Sequence, residues 1–273
     1  MEKAPENRYQ LTDLLRVMAR PPDPVAGCPW DIRQDFQSIV PSTLEECYEL
    51  AEAIEQEDFP HVAEELGDVL FQVIFYAQLG AERELFSFDT VVDTLVGKLI
   101  RRHPHVFADG EIEGIVTGSS SVESVKASWE AIKRGERRAK KQGGVLADVP
   151  VALPALPRAQ KLQKRAAEVS FDWADTDAVL AKLEEEIAEL RAAMAAGHED
   201  NIAEETGDIL FSCVNLSRHL GLDAEATLRG ANSKFERRFL AMEASANAAD
   251  KALNAMSAAE LDALWEAAKA MER

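Results

Sequence analysis

KLEEEIAELRAAMAAGHEDNIAEETGDILF, residues 182–211, predicts two consecutive amphipathic helices. The apolar residues of its first half recur at spacings of four, three and four, and they are Leu183, Ile187, Leu190 and Met194. That spacing places them on one face of an α-helix. The acidic residues of the segment follow the pattern Glu-Glu-x-x-Glu, and after 15 further residues the pattern Glu-x-x-Asp. The segment therefore predicts two helices that both carry carboxylates.

The same acidic pattern occurs once more, 140 residues earlier in the chain. TLEECYEL at residues 43–50 matches KLEEEIAEL, and AEELGDVLF at residues 63–71 matches AEETGDILF. The repeated acidic residues are Glu45, Glu46, Glu49, Glu65 and Asp68 in the first copy, and Glu185, Glu186, Glu189, Glu205 and Asp208 in the second. A repeat of this length favours two compact copies of one unit. We predict an all-α protein with two tandem helical bundles.

A stretch rich in glycine and proline separates the two copies. Its sequence is GGVLADVPVALPALP, residues 143–157, and it interrupts the helical periodicity. We predict a first helical domain at residues 1–142, a linker at residues 143–157 and a second helical domain at residues 158–273. A second irregular stretch, DGEIEGIVTGSSS at residues 109–121, is expected to form a mobile loop inside the first domain.

Two local features of the repeat predict structure in more detail. Ser42 and Glu45 form a Ser-x-x-Glu capping box, so the first acidic helix is predicted to begin at Ser42. Its equivalent in the second copy is predicted to begin near Thr176. Gly67 and Gly207 lie inside predicted helices, where glycine costs about 1 kcal/mol relative to alanine. Because both copies keep this cost, we predict close packing beside the carboxylates.

The charge balance excludes several classes of partner. The chain has 30 basic and 49 acidic residues, which gives a formal net charge of −19. This charge opposes nonspecific binding to nucleic acids and to anionic membranes, so a phosphate ligand needs local cations or a metal ion. No apolar stretch reaches the length of about 18 residues that a membrane helix requires, and the polar start lacks a secretory signal. We predict a cytoplasmic protein.

The repeated carboxylates predict a metal site. Residues three apart share a helix face, so Glu46 projects with Glu49, and Glu65 projects with Asp68. If the two helices pack antiparallel, four carboxylates converge, and a hard divalent cation such as Mg²⁺ or Mn²⁺ relieves their repulsion. A solvated acidic face is the alternative. A di-iron bundle is disfavoured, because it uses Glu-x-x-His pairs and the matching positions here are Glu and Asp.

A matched series of cations and tryptophans accompanies each copy at an offset of 136 residues. The series is Lys98, Arg101, Arg102, Trp129 and Lys133 in the first copy, and Lys234, Arg237, Arg238, Trp265 and Lys269 in the second. Such cations can bind phosphate oxygens, although ordinary salt bridges explain any single one. The tryptophan can stack on a base or belong to the core. Together these groups predict a nucleoside polyphosphate substrate and metal-assisted attack of water on phosphorus.

Across nearly its full length the chain resembles the MazG family of nucleoside triphosphate pyrophosphohydrolases. The resemblance rests on the doubled acidic pattern and on four further stretches: GCPWD at residues 27–31, RRHPHVF at residues 101–107, PALPRAQKLQKRAAEVSFDW at residues 154–173 and ANSKFERRF at residues 231–239. It implies an all-α pyrophosphatase fold, dependence on Mg²⁺ with Mn²⁺ as a substitute, and a homodimer. It also implies hydrolysis of NTPs and dNTPs to the monophosphate and pyrophosphate.

Carried over by position, the resemblance implies site residues in the second copy. The implied metal ligands are Glu186, Glu189, Glu205 and Asp208, and Glu185 or Glu189 is implied to orient the water. The implied substrate-binding residues are Lys182, Lys234, Arg237, Arg238, Trp265 and Lys269. The first copy has equivalents of both sets, namely Glu46, Glu49, Glu65 and Asp68 for the metal, and Lys98, Arg101, Arg102, Trp129 and Lys133 for the substrate.

The second copy is the expected active unit. In two-repeat members of this family the C-terminal unit is the one associated with activity, although here the first copy keeps every motif residue. Two other functions remain open at the level of sequence. One is a nucleotide-sensing or partner-binding module without turnover, and the other is a structural acidic bundle.

Overall fold

The computed structural model describes residues 8–19, 30, 33–114, 121–139 and 144–272. Within these residues the chain forms ten α-helices and short 3₁₀ turns, and no β-strand. The chain divides into two compact units, residues 1–135 and residues 136–273. The all-α fold with two tandem helical units is therefore confirmed, while the bounds of the linker stay a prediction. In the part of the chain described, no helix is both long and apolar enough to cross a membrane.

The first unit is built around a helical hairpin. Its helices are α1 (Leu11–Met18), α2 (Val40–Glu55), α3 (Phe59–Glu82), α4 (Phe88–Arg102) and α5 (Val122–Ala139), the last of which continues into the second unit. Three residues join α2 to α3, and the two helices pack against each other, while α1 and α4 also pack on α3. Short connections of this kind make neighbouring helices antiparallel. The core comprises Ile39, Phe75 and Leu79, with Phe36 and Tyr76 against them.

Helix α2 begins two residues before the predicted capping box. Its first residue is Val40, and Ser42 lies inside the first turn rather than at the cap. Pro41 explains the difference, because proline presets the helical φ angle and has no N–H group to leave unpaired in the first turn. The predicted start at Ser42 is therefore wrong, although the helix itself is confirmed.

The second unit contains an equivalent hairpin. Its helices are α6 (Ala155–Ala167), α7 (Thr176–Ala196), α8 (Glu199–His219), α9 (Ala224–Ala248) and α10 (Ala258–Met271). Helix α7 begins at Thr176 as predicted, because the Asp175 side chain accepts a hydrogen bond of 2.8 Å from the Ala178 amide. It ends at Gly197, whose φ of 73° is a left-handed conformation that favours glycine. Helices α7 and α8 pack as one pair and α9 and α10 as another, and α6 packs on both α8 and α9.

Residues just before α6 pack on the second unit. Asp148 accepts a hydrogen bond of 2.5 Å from Arg165 on α6, and Val149 is buried. Pro154 occupies the N-cap position of α6. This end of the predicted linker is therefore held by contacts with the helix that follows it. Of the predicted mobile loop, residues 115–120 lie outside the described residues.

The two repeated glycines do not mark close packing within either unit. In the described parts of the chain, a Cβ atom built on Gly67 or Gly207 meets no heavy atom within 4 Å beyond its own stretch of helix. The prediction of close packing beside the carboxylates is therefore wrong within a single chain. Both glycines instead leave open surface on the helices that carry the Glu-x-x-Asp pairs.

Candidate metal and phosphate site

The hairpin of α7 and α8 brings three predicted carboxylates of the second unit together. One oxygen each from Glu186, Glu205 and Asp208 lies within 4.8 Å of the other two. Two ligands of one Mg²⁺, each about 2.1 Å from the ion, are at most about 4.2 Å apart, so a small side-chain adjustment lets all three bind one ion. Glu186 is only 5% exposed, whereas Asp208 is exposed. The cluster therefore has one buried ligand, Glu186, and one ligand that is exposed to solvent, Asp208.

Repulsion among these carboxylates is evident at Glu205. Burial raises the pKa of the Glu205 carboxyl. The neighbouring charges that raise this pKa further are, from the strongest, those of Glu189, Glu186, Asp208 and Glu204. Glu189 is outside the group of three oxygens, yet its charge reaches the same site. The structure thus brings the four predicted ligands of the second unit into one electrostatic neighbourhood.

Lys182 neutralises part of this negative charge from within α7. Its ammonium lies 2.8 Å from Glu185 Oε1 and 2.8 Å from Glu186 Oε1. Hydrogen bonds to these two carboxylates raise the pKa of Lys182 above its usual value. In this structure Lys182, for which the resemblance implies substrate binding, is the counter-ion of the buried glutamate.

The hairpin of α2 and α3 in the first unit forms a related cluster. One oxygen each from Glu46, Glu49 and Glu65 lies within 4.8 Å of the other two. Burial raises the pKa of Glu46, and among the neighbouring charges that of Asp68 raises it most. The four predicted carboxylates of the first unit are therefore also close enough to interact.

His61 contacts the first cluster through Glu65, and motif comparison missed it. Its Nε2 atom lies 2.8 Å from Glu65 Oε1. At the same position of the repeat the second unit has Asn201, and at the position of Lys182 the first unit has Ser42. Alignment of the non-acidic positions of the repeat reveals both exchanges. The buried glutamate of each cluster therefore has a different partner, an imidazole in the first unit and an ammonium in the second.

The predicted phosphate-binding residues of the second unit lie on α9 and α10. The Arg238 guanidinium lies 5.7 Å from the centroid of the Trp265 ring, and the Phe235 ring centroid lies 5.4 Å from that of Trp265. Lys269 on α10 forms an ion pair of 2.7 Å with Glu266. These two helices therefore present an arginine beside a pair of aromatic rings.

Glu272 forms ion pairs with the two predicted phosphate-binding arginines of this group. Its carboxylate accepts hydrogen bonds of 2.7 Å from Arg238 Nε and of 3.3 Å from Arg237. The hydrogen bond from Arg238 lowers the pKa of Glu272. The sequence comparison missed Glu272, although Glu136 matches it at the offset of the cation series. A carboxylate thus lies where a phosphate is predicted to bind.

The matching residues of the first unit lie on α4 and α5. Lys98, Arg101 and Arg102 lie in the last turns of α4, and Trp129 and Lys133 lie on α5. The Lys133 ammonium lies 3.7 Å from the centroid of the Trp129 ring, which is a cation–π contact. The lysine and tryptophan of the predicted series are therefore neighbours in the first unit.

Apart from Lys182, the predicted cations of the second unit lie on different helices from the clustered carboxylates. Among the described residues of that unit, no hydrogen bond or ion pair links α9 or α10 to the clustered carboxylates. Lys234 is exposed on α9. Each group is thus assembled locally, within its own pair of helices.

Glu205→Gln is expected to raise the thermal midpoint of the metal-free protein near neutral pH. A carboxyl whose folded-state pKa lies above its unfolded value contributes stability only at low pH, and this contribution is lost as pH rises through the folded pKa. The neutral amide removes that loss. Calorimetry with and without Mg²⁺ measures the effect. For the wild-type protein, Mg²⁺ at about 100 times its Kd stabilises the fold by about 2.7 kcal/mol.

Glu236→Gln on α9 is the matched control, because it removes the same charge away from the cluster. It should leave the response to Mg²⁺ intact, whereas Glu205→Gln should weaken it strongly. A lower metal-free midpoint in Glu205→Gln, or an undiminished response to Mg²⁺, contradicts the assignment of this carboxylate to a metal site.

Comparison with known proteins identifies the family of the chain. The model of the MazG nucleotide pyrophosphohydrolase domain matches residues 34–107 and residues 175–239. Over 265 residues the chain is 46% identical to the nucleoside triphosphate pyrophosphohydrolase of Escherichia coli (strain K12), covering 96% of this chain and 98% of that protein. It is 42% identical over 257 residues to the nucleoside triphosphate pyrophosphohydrolase/pyrophosphatase MazG of Thermotoga maritima, covering 94% of both chains. The protein YabN of Bacillus subtilis is 43% identical over 248 residues, which are 90% of this chain and 49% of YabN.

The chain therefore belongs to the MazG family. The first matched segment contains α2, α3 and α4, and the second contains α7, α8 and the first part of α9. The family domain thus occurs twice, once in each unit, and each occurrence includes one acidic cluster. This confirms the family resemblance inferred from the sequence.

Proposed function

We propose that this protein is a Mg²⁺-dependent nucleoside triphosphate pyrophosphohydrolase that converts NTPs and dNTPs to the monophosphate and pyrophosphate. The main support is the cluster of Glu186, Glu205 and Asp208 oxygens on α7 and α8. Clusters that offer only oxygen ligands suit Mg²⁺ and Mn²⁺. Membership in the MazG family supports the substrate class. Cleansing of the cytoplasmic nucleotide pool is the role that we propose for this activity.

The residues of the second cluster have distinct proposed roles. Glu186, Glu205 and Asp208 hold the ion, which lowers the pKa of a bound water and neutralises charge on the phosphates when it is present. Glu189 orients the attacking water and accepts its proton. We choose Glu189 over Glu185 because Glu185 is already hydrogen-bonded to Lys182.

Cations supply the complementary half of the proposed site. Lys182 contacts Glu186, a proposed ligand of the ion, so its ammonium would lie beside the phosphate oxygens of a substrate held at that ion. Arg238 and Lys234 bind the remaining phosphates, Arg through a two-pronged hydrogen-bonding group and Lys as a point charge. Trp265 offers a face on which any base can stack.

The second unit is the proposed catalytic unit because of one exchange in the repeat. Lys182 lies beside the buried glutamate of the second cluster, whereas Ser42 occupies the same repeat position in the first. The first cluster therefore has no counterpart of the lysine that is ion-paired with Glu186 in the second. For the first unit this favours the alternative function, a metal-binding or nucleotide-binding module without turnover.

We also propose that the protein is a homodimer. Large apolar side chains are exposed on the helices of the second unit, including Leu210 at 57%, Phe235 at 56% and Leu240 at 63%. Exposed apolar surface of this kind marks association sites. A second copy can cover these side chains and can bring the cations of one chain to the carboxylates of another. Native mass spectrometry should give twice the chain mass at micromolar concentration, and a monomer contradicts this assembly.

Product analysis tests the proposed activity. Purified protein with Mg²⁺ and each NTP or dNTP should release pyrophosphate, and chelation of the metal should abolish the release. Release of orthophosphate alone contradicts the proposed reaction. Nucleotide binding without any product supports the sensing or partner-binding alternative.

Glu272→Gln is expected to lower the KM for nucleoside triphosphates about two- to fivefold, the modest range typical of exposed ion pairs. The carboxylate of Glu272 competes with the substrate for Arg238 and Arg237, and the neutral amide competes less well. Steady-state kinetics at saturating Mg²⁺ measures the change. Glu236→Gln is the control for net charge, and an equal fall in KM for both variants contradicts specific competition.

A further inference from the structure

The first cluster contains a potential metal ligand that the second does not. His61 lies on α3 one turn before Glu65, and its Nε2 atom is 2.8 Å from Glu65 Oε1. Oxygens of Glu46 and Glu49 lie within 4.8 Å of an oxygen of Glu65. An imidazole nitrogen therefore contacts Glu65, which is one of the three converging carboxylates.

One oxygen of Glu65 is buried without a partner among the described residues. Glu65 is only 7% exposed, and among the described residues its buried Oε2 atom has no hydrogen-bond partner. His61 contacts the other oxygen, Oε1. A buried carboxylate oxygen without a partner is unfavourable, because burial removes hydration without replacing it. The free oxygen thus indicates that a ligand binds at the first cluster.

The second cluster satisfies its buried glutamate differently. Lys182 is ion-paired with Glu186, and Asn201 occupies the repeat position of His61. An ammonium group has no lone pair and cannot coordinate a metal, whereas a neutral imidazole is a common ligand of transition metals. The two clusters therefore offer different donor sets, oxygen alone in the second unit and oxygen with nitrogen in the first.

We propose that the first cluster is a site for a divalent transition metal of the Mn²⁺, Co²⁺ or Zn²⁺ class, with His61 Nε2 as a ligand beside Glu46, Glu49 and Glu65. In an octahedral site, adjacent ligands at about 2.1 Å from the ion are about 3 Å apart, and the separation between His61 Nε2 and Glu65 Oε1 is 2.8 Å. Coordination uses the lone pair of Nε2 of the neutral imidazole, so its one N–H proton is then on Nδ1, and a protonated imidazolium releases its second proton to solvent when the ion binds. Mixed nitrogen and oxygen ligands favour such ions over Mg²⁺.

This assignment rests on the proposed function, in which the repeated carboxylates bind divalent ions. Its readout is nevertheless independent of turnover. Electron spin echo envelope modulation of bound Mn²⁺ detects the nitrogen of a directly coordinated imidazole. Full-length, untagged protein carrying Glu205→Gln, which weakens the second cluster, is titrated with Mn²⁺ alone. Nitrogen modulation is expected in this background and should disappear when His61→Asn or His61→Gln is added.

Asn is the residue that the second unit has at this position, so His61→Asn converts one donor set into the other. The ratio of Mn²⁺ to Mg²⁺ affinity should fall about tenfold or more in both His61 variants. The chain has five histidines, and His219→Asn, which removes a histidine bonded to Asp172, should leave the modulation unchanged. Retention of nitrogen modulation in both His61 variants overturns the proposal. Mn²⁺ bound without nitrogen modulation in the Glu205→Gln background, or no Mn²⁺ bound there, also overturns it.

The outcomes separate this site from the proposed activity. Pyrophosphate release by the wild-type protein together with Mn²⁺ binding that lacks nitrogen modulation refutes only the role of His61. Nitrogen modulation in a protein that releases no pyrophosphate refutes the activity and leaves the first metal site standing.

Discussion

Glu189→Gln is expected to reduce pyrophosphate release by at least about 100-fold. The variant removes the carboxylate that we propose orients the attacking water, and a general base contributes about 10²- to 10⁴-fold to a rate. Because Glu189 acts mainly in the transition state, the loss should fall on kcat, with little change in KM. Steady-state kinetics with a dNTP at saturating Mg²⁺ measures both constants.

The matched control for this variant exists within the same chain. Glu49 occupies the repeat position of Glu189, so Glu49→Gln makes the same chemical change in the first unit. Turnover of Glu49→Gln should stay within about twofold of wild type, because Glu49 belongs to the first cluster, for which we propose no turnover. Equal losses from both variants contradict the assignment of catalysis to the second unit. A loss from Glu49→Gln alone assigns catalysis to the first unit.

Arg238→Gln is expected to lower kcat/KM for nucleoside triphosphates about 10- to 100-fold. Hydrogen bonds to charged groups contribute about 1.5–3 kcal/mol, and about 1.4 kcal/mol corresponds to tenfold in rate. Arg238 is the arginine closer to Glu272 and beside Trp265, so it is the best placed to hold a phosphate near a stacked base. Inorganic tripolyphosphate should also bind more weakly to this variant, which calorimetric titration measures directly.

Arg237→Gln is the matched control for Arg238→Gln. The Arg237 side chain is 63% exposed and its contact with Glu272 is longer, at 3.3 Å. We therefore expect a smaller loss, within about fivefold. Thermal midpoints of both variants show whether loss of the contact with Glu272 weakens the fold. An equal loss of activity in Arg237→Gln and Arg238→Gln contradicts the assignment of the main phosphate contact to Arg238.

The helices were predictable because their signals are local in sequence. The apolar spacing from Leu183 to Met194 and the cap at Asp175 act within a few residues, and α7 begins where they indicate. The start of α2 was misplaced because two local signals compete there. Ser42 offers a cap, but Pro41 is already suited to the first turn, and the helix begins at Val40.

The carboxylate clusters were predictable because spacing on two packed helices determines where the side chains converge. The partners of these carboxylates were not. His61 pairs with Glu65 within one helix, but nothing in the acidic pattern identifies a histidine as part of the site. Glu272 reaches Arg238 across two helices, 34 residues apart in sequence, so only the packing of α9 on α10 reveals the pair.

The surroundings of the two repeated glycines could not be predicted from the sequence. Gly67 and Gly207 occur at one repeat position, which indicates a shared constraint, but sequence does not say what lies beside them. Among the described residues outside their own stretch of helix, no heavy atom lies within 4 Å of a Cβ built on either glycine. A second copy of the chain is the neighbour that the proposed homodimer supplies.

Hydrolysis of a nucleoside triphosphate in H₂¹⁸O with Mg²⁺ tests the central claim most directly. Attack of water on the α-phosphorus, catalysed by the second cluster, predicts ¹⁸O in the nucleoside monophosphate and unlabelled pyrophosphate. The label should enter the same product, at a much lower rate, with Glu189→Gln. Label in pyrophosphate, or release of orthophosphate in place of pyrophosphate, contradicts the account.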